Sequence, residues 1–372
     1  MLSDFFVKIE DHFVQGLPFV VYRKPNEDRI SVVFQKDNEL RYVLDYKETG
    51  FVFAPFDSSN PAILIQPDEI HHIIQELSKD PGNNLSQFPK TTVAQKASHI
   101  DLVTKGIAEI HKGTFKKVVL SRKLEVVHEK KPLEVFHELL AFYAEAFCYL
   151  WYHPKVGMWA GATPETLLEI ENKKMTTMSL AGTLAFSEKE PPLWGRKELE
   201  EQQVVTTYIT NTLEDKILNL KVSDMESVRA GNLWHLRTSV SGTLKDHGLQ
   251  DTLNALHPTP AICGFPKSAA KDFILHNENY DREYYTGFLG ELNFKKNVNR
   301  SRGIRNQENS VYRAIKNTSH LFVNLRCVRL IKKKAIIYVG GGITKDSVPE
   351  KEWQETRDKS ITMFRVLRKD NN

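Results

Sequence analysis

Cysteine is scarce in this sequence: Cys148, Cys263 and Cys327 are the only three in 372 residues. They are far apart and odd in number, which excludes a disulfide framework, and none has zinc-site spacing. They read as reduced thiols of a cytoplasmic protein. No apolar run approaches the roughly 18 residues that a membrane-spanning helix needs. The opening residues, Met1–Leu2–Ser3–Asp4–Phe5, lack the basic-then-apolar plan of a secretory leader. Heptads, internal repeats and low-complexity tracts are absent as well. Nor is there a large excess of one charge: the net is +4, with 26% of residues charged. Placement matters more. Between Lys295 and Lys316 seven Lys/Arg face one acid, Glu308, a local +6 that leaves the rest slightly acidic. The run is either a surface loop or a contact for a polyanion or partner. Neither nucleic acid nor membrane is expected as a partner of the chain as a whole.

What is present suffices for a core. Hydrophobic residues make up 41% of the chain, whose length suits two ordinary domains or one large one. The first ninety residues carry short apolar runs, Ile30–Phe34 and Gly50–Phe53, interrupted by Pro55, Pro61 and Pro67. Asp80–Asn84 is a turn signal, and no chemistry is concentrated in this part. A helix is expected from about Thr92 to Lys112, with Ile100, Val103, Ile107 and Ile110 on one stripe. Lys116–Leu124 reads as a strand, Leu133–Phe147 as a helix and Tyr149–Tyr152 as a strand again. Strands and helices interleave without a regular βαβ beat, which predicts a mixed α+β fold.

Five features could carry chemistry. Ala335–Val339 is a β-branched, apolar strand ending in Gly340, Gly341 and Gly342, and a helix follows Pro349. On it Glu352, Glu355 and Lys359 share roughly one face. Beyond a glycine turn they could bind a metal and an anion together, or form a solvated face with an i,i+4 pair. A second helix runs from Arg196 to Leu218, and Glu201 falls on its apolar side with Val205 and Tyr208. A carboxylate there is costly unless paired or metal-bound, although a first-turn acid also favours the helix dipole. Lys116 and Lys117 are either a charged strand end or present one amine to a pocket. Glu165 after Pro164 is either a turn residue or an acid aimed into a cleft. Arg326, inside the apolar run Leu321–Arg329, needs an anionic partner.

In order, KVVLSR (117–122), GATPETLL (161–168), LAGT (180–183), 197–202, 234–236, HPTPAICGF (257–265), 280–287, 323–327 and 340–359 resemble the chorismate-utilising enzymes. That family includes isochorismate, salicylate and anthranilate synthases and aminodeoxychorismate synthase component I. The resemblance spans residues 95–363. It implies a single large α+β domain over 1–372, with 1–90 as its variable part, built from two facing antiparallel sheets flanked by helices. It also implies Mg²⁺ as cofactor, chorismate as substrate and a monomer.

By position the resemblance makes Glu201 and Glu355 the Mg²⁺ carboxylates, with Glu198 and Glu352 behind them. Arg326, Lys359 and the backbone of Gly340–Gly342 would hold substrate carboxylates, and Thr183, His235 and Tyr285 would line the cleft. Lys117 resembles the lysine of isochorismate and salicylate synthases, where aminating members carry glutamine. Ala181 departs from the lysine common in aminodeoxychorismate synthases. The resemblance therefore implies isochorismate synthase, with salicylate synthase as the alternative. Lys117 would take a proton from water attacking C2, and Glu165 would protonate the departing C4 hydroxyl. Ordinary pKa values of about 10.4 and 4.3 oppose both roles, so burial must shift them. Gln202 stands where the family usually has histidine.

Overall fold

The computed structural model describes residues 2–76, 88–186, 191–230, 233–245, 248–298 and 314–368. The Asp80–Asn84 turn and residues 299–313 of the basic run lie outside them. Two antiparallel sheets dominate. Among the described residues the first has nine strands, ordered Gly264–Phe265, Lys117–Val127, Lys334–Ile343, Cys327–Ile331, Gly157–Thr163, Phe147–His153, Phe19–Arg23, Arg29–Phe34 and Glu69–Ile74. The second runs Ile217–Val222, Leu233–Leu244, Lys174–Ala185, Thr166–Glu171, Ala314–Val323, Phe288–Val298, Gly50–Ala54, Ile63–Ile65 and Arg41–Tyr42. Glu226–Ala230 adds a further pairing to Leu233–Leu244. The first ninety residues supply strands to both sheets.

The sheets face each other through an aromatic layer that includes Tyr22, Phe53, Phe147, Trp151, Trp159 and Phe322. Phe147 stacks on Phe322 across it at 4.2 Å, an arrangement worth about 0.5–1.5 kcal/mol beyond burial itself. Helices Leu2–Val14, Pro132–Phe142 and Pro349–Leu367 pack on the outer face of the first sheet. Arg196–Leu213 and Gly248–Leu256 cover the second. Strands such as Phe19–Arg23 and Gly50–Ala54 are thus buried on both faces, not alternately.

Several boundaries differ from the sequence expectation. The helix after Pro132 ends at Phe142, because Phe147–His153 is rich in β-forming aromatics and enters the sheet. The Arg196 helix stops at Leu213, and Ile217–Val222 becomes an edge strand. The expected helix near residue 92 is Val93–His111, opened by a Thr92–Gln95 capping box. The three glycines form no turn: they lie within strand Lys334–Ile343, in register with Ser121, Leu120 and Val119.

The apolar run expected over Leu321–Arg329 is two strands in different sheets, broken at Asn324–Arg326. Arg326 takes the left-handed conformation, φ 46°, and there the chain changes sheet. Pro164–Glu165 is a second crossover, between Gly157–Thr163 and Thr166–Glu171. The two are tied together: Val323 N donates to Glu165 O at 3.0 Å and Ala162 N to Arg326 O at 3.1 Å. The fold therefore sets an acid and an arginine side by side where both chains pass between the sheets.

Candidate active site

A cavity opens at those crossovers. Glu165 and Arg326 form its floor, with His235, Gly182 and Thr183 beside them. Burial pushes the Glu165 carboxyl up to about 8, only partly offset by the charges of Lys117 and Arg326. Burial lowers the Arg326 guanidinium to about 10, which still leaves it charged at neutral pH. Arg326 Nη2 lies 2.7 Å from His235 Nε2, and His235 Nδ1 lies 3.0 Å from Gly182 O. Since the guanidinium can only donate, Nε2 accepts and Nδ1 carries the proton. Burial, then Arg326 and Lys359, hold His235 well below its ordinary value and thus neutral. Gly182 reaches it from a bulge in strand Lys174–Ala185, with φ +70°.

The facing wall is the glycine strand. Gly340, Gly341 and Gly342 line the cavity with Glu201, Lys359 and Tyr285. Gly342 is there for close approach: a Cβ on it would lie 2.4 Å from Glu201 Oε1 and 3.0 Å from Lys117 Cε. Lys117 is buried while Lys116 is exposed, so one amine of the pair points inward. That amine stops behind the wall, 2.8 Å from Glu201 Oε1 in an ion pair without hydrogen-bond geometry. Burial works to raise the Glu201 carboxyl, but Lys117, with Lys197 and Lys359, outweighs it and holds the group below its ordinary value. Lys359 bridges Glu355 at 2.7 Å and donates to Gly340 O at 3.1 Å.

Of the residues singled out from sequence, Lys117, Glu198, Glu352 and Glu355 stay outside the cavity wall. Glu198 packs near Gly182 and Gly195, at the start of the helix bearing Glu201. Glu352 is raised by burial and by Glu355, and pairs with Lys197 at 2.7 Å. Lys197 was missed, although it lies in the 197–202 motif; a lysine one turn before an acid on an apolar face was the available signal. Tyr338 also lines the cavity, stacked on Tyr285 at 5.5 Å, and reads in the sequence as ordinary strand. Gln202 faces away: its Nε2 donates to Ser179 Oγ at 2.8 Å and to Thr238 Oγ1 at 3.2 Å, fixing helix to sheet.

The donor chemistry fits a hard divalent cation. A Cβ on Gly341 would stand 3.5 Å from Glu355 Oε1 and 3.6 Å from Glu352 Oε2, so acids from two helices gather over Gly341 and Gly342. Glu352 Oε2 is buried without a partner. Carboxylate oxygens are what Mg²⁺ selects. Among the described residues no three such side chains already form a ligand set, since Glu201, Glu352 and Glu355 each turn to a lysine.

Two sheets meeting over an acid–arginine floor, with carboxylates on two flanking helices, define a class. The profile of the chorismate binding enzyme family matches residues 56–313 and 311–368, and the chain belongs to that family. The chain is 27% identical over 344 residues to isochorismate synthase DhbC of Bacillus subtilis, covering 84% of this chain and 79% of that one. A Bacillus anthracis structure assigned as a 2,3-dihydroxybenzoate-specific isochorismate synthase superposes with TM-score 0.76 at 24% identity, over 94% of this chain and 96% of that one. Anthranilate synthase component I from Streptococcus pneumoniae also superposes, with TM-score 0.64 at 18% identity over 93% and 92% of the two chains. The fold is thus shared by chains with different names, and the choice of reaction rests on side chains.

Proposed function

We propose that this chain is an isochorismate synthase, converting chorismate to isochorismate by water addition at C2 and loss of the C4 hydroxyl. The observation that carries it is Glu165: a carboxyl pushed up to about 8 beside a charged arginine still holds its proton at neutral pH. Such an acid can protonate a departing hydroxyl. Lys117 is the base that takes the proton from the attacking water, a role that requires its amine to be released from Glu201 and neutral; aminating members of the family have glutamine there. The two proton transfers balance, so the product is an isomer. Arg326, Lys359 and the Gly340–Gly342 backbone bind the substrate carboxylates, with Thr183, His235 and Tyr285 around the ring. Glu201 and Glu355 would hold Mg²⁺, backed by Glu198 and Glu352, and the ion when bound supplies positive charge against a substrate carboxylate. We take residues 1–90 and 95–363 as parts of one domain, acting as a monomer in the cytoplasm.

The test is incubation with chorismate and Mg²⁺ in heavy-oxygen water, with products separated by chromatography and weighed. An isomer carrying one heavy oxygen supports the proposal, and EDTA should stop its formation until Mg²⁺ is returned. An unlabelled product, or none, overturns it. Pyruvate release with salicylate would move the chain to the salicylate-forming members.

A further inference from the structure

Arg282 belongs to the 280–287 motif, yet its guanidinium does not enter the cavity. It grips the walls. Nη2 donates to Val119 O at 2.7 Å, and Nη1 donates to Ile262 O at 3.1 Å and to Thr286 Oγ1 at 3.3 Å. All three acceptor residues line the cavity. They come from three separate segments: the strand of Lys117, the 257–265 loop and the loop before Phe288. The rest of the fork closes on Glu278, Nε on Oε2 at 2.8 Å and Nη2 on Oε1 at 2.6 Å. Glu278 Oε1 also accepts from the backbone N and the hydroxyl of Ser121, at 2.7 and 2.8 Å, two residues beyond Val119 on the same strand. Phe56 covers the guanidinium at 4.5 Å. The pair is buried, with side chains 2% and 1% exposed.

Stability alone is a poor reason for such a pair, because desolvating both charges offsets most of their attraction. A planar five-donor fork does what no apolar side chain does: it sets distances between segments that are remote in sequence. We propose that Arg282, held by Glu278, is a positioning residue that fixes three walls of the substrate cavity and with them the strand bearing Lys117. The proposal rests on the chorismate reading of that cavity.

Arg282→Lys keeps the charge opposite Glu278 and loses the fork. With folding verified by near-ultraviolet circular dichroism and a thermal melt, kcat/KM for chorismate should fall about 10²-fold, the cost of misplacing reacting groups by about 1 Å. The Mg²⁺ concentration for half-maximal rate should stay unchanged, since Arg282 touches none of the acids at Gly341. A folded variant with wild-type kcat and KM overturns the proposal, whatever its melting temperature. Glu278→Met/Arg282→Met is the second variant, because apolar replacement of a buried pair is often neutral for folding; it should show the same kinetic loss. If neither variant folds, the pair serves the whole fold and the positioning role is overturned. Wild-type protein runs alongside: its failure on chorismate refutes the reading of the site, whereas an active wild type matched by Arg282→Lys refutes the positioning role alone.

Discussion

Two buried charge networks meet the strand pairing at the cavity wall, and they differ in completeness. At Glu278–Arg282 both carboxylate oxygens and all three guanidinium nitrogens have partners. At the glycine wall the Lys117 amine has a charge beside it but no directed hydrogen bond, and Glu352 Oε2 has no partner. A satisfied network rigidifies; an unsatisfied one in low dielectric is expensive to keep. The difference teaches which region is scaffold and which keeps charged groups that a ligand can engage.

The largest effect is expected at the acids. Glu201→Gln or Glu355→Gln removes a charge facing the gap over Gly341 and Gly342, and turnover should be lost altogether. Calorimetric titration of Mg²⁺ into each variant checks the cause, since binding should be lost together with rate. Near-normal activity at modest Mg²⁺ would turn these acids into ordinary lysine partners.

Next come the groups proposed to move protons. Lys117→Gln should cost roughly 10²–10⁴-fold in isochorismate formation, the usual range for a general base. Lys116→Gln is the control. Exposed one residue before the strand, it should change little, as surface substitutions cost within about 0.5 kcal/mol. Chorismate affinity measured by calorimetry should survive in both. If Lys116→Gln is the inactive variant, the pair has been assigned the wrong way round.

That assignment shows how far the sequence could be read. Two adjacent lysines left the inward one open, and alternation decided it: Val118 and Leu120 belong to the core beneath the helices, so Lys117 projects to the other side. Glu201 was legible because a carboxylate on an apolar helical face needs a partner. The two crossovers were not, since hydropathy follows the strands and is blind to the point where a chain passes between sheets. Glycine chemistry misled for a similar reason. Three consecutive glycines favour a turn locally, and only pairing with Val119, Leu120 and Ser121, remote in sequence, makes them strand residues. Lys197 stayed hidden because its partner, Glu352, is distant in sequence.

A smaller and more gradual effect should come from pH. The Glu165 carboxyl is raised from its ordinary value to about 8 by burial, so the protonated form dominates below that value. The rate should therefore fall as pH rises through about 8, approaching tenfold per unit above it. Glu165→Gln should abolish this limb along with most of the rate. A profile flat from pH 7 to well above 8 in wild type would remove Glu165 as the acid.

The smallest kinetic effect is expected one residue from the largest. Glu201 and Gln202 are neighbours on one helix, but Glu201 reaches the glycine wall while Gln202 is buried against Ser179 and Thr238. Gln202→Leu keeps much of the volume and leaves Thr238 Oγ1 without its donor, while Ser179 Oγ keeps Thr206 Oγ1 at 2.7 Å. Leaving buried polar groups unpaired costs about 1–3 kcal/mol, which should appear as a lower urea midpoint with an unchanged slope. The rate at low temperature, where the variant is fully folded, should remain close to wild type, because the Gln202 hydrogen bonds go to Ser179 and Thr238, which do not line the cavity. A collapse of rate at full folding would mean that this helix transmits its packing to Glu201, and the line between scaffold and site would have to be drawn on the other side of Gln202.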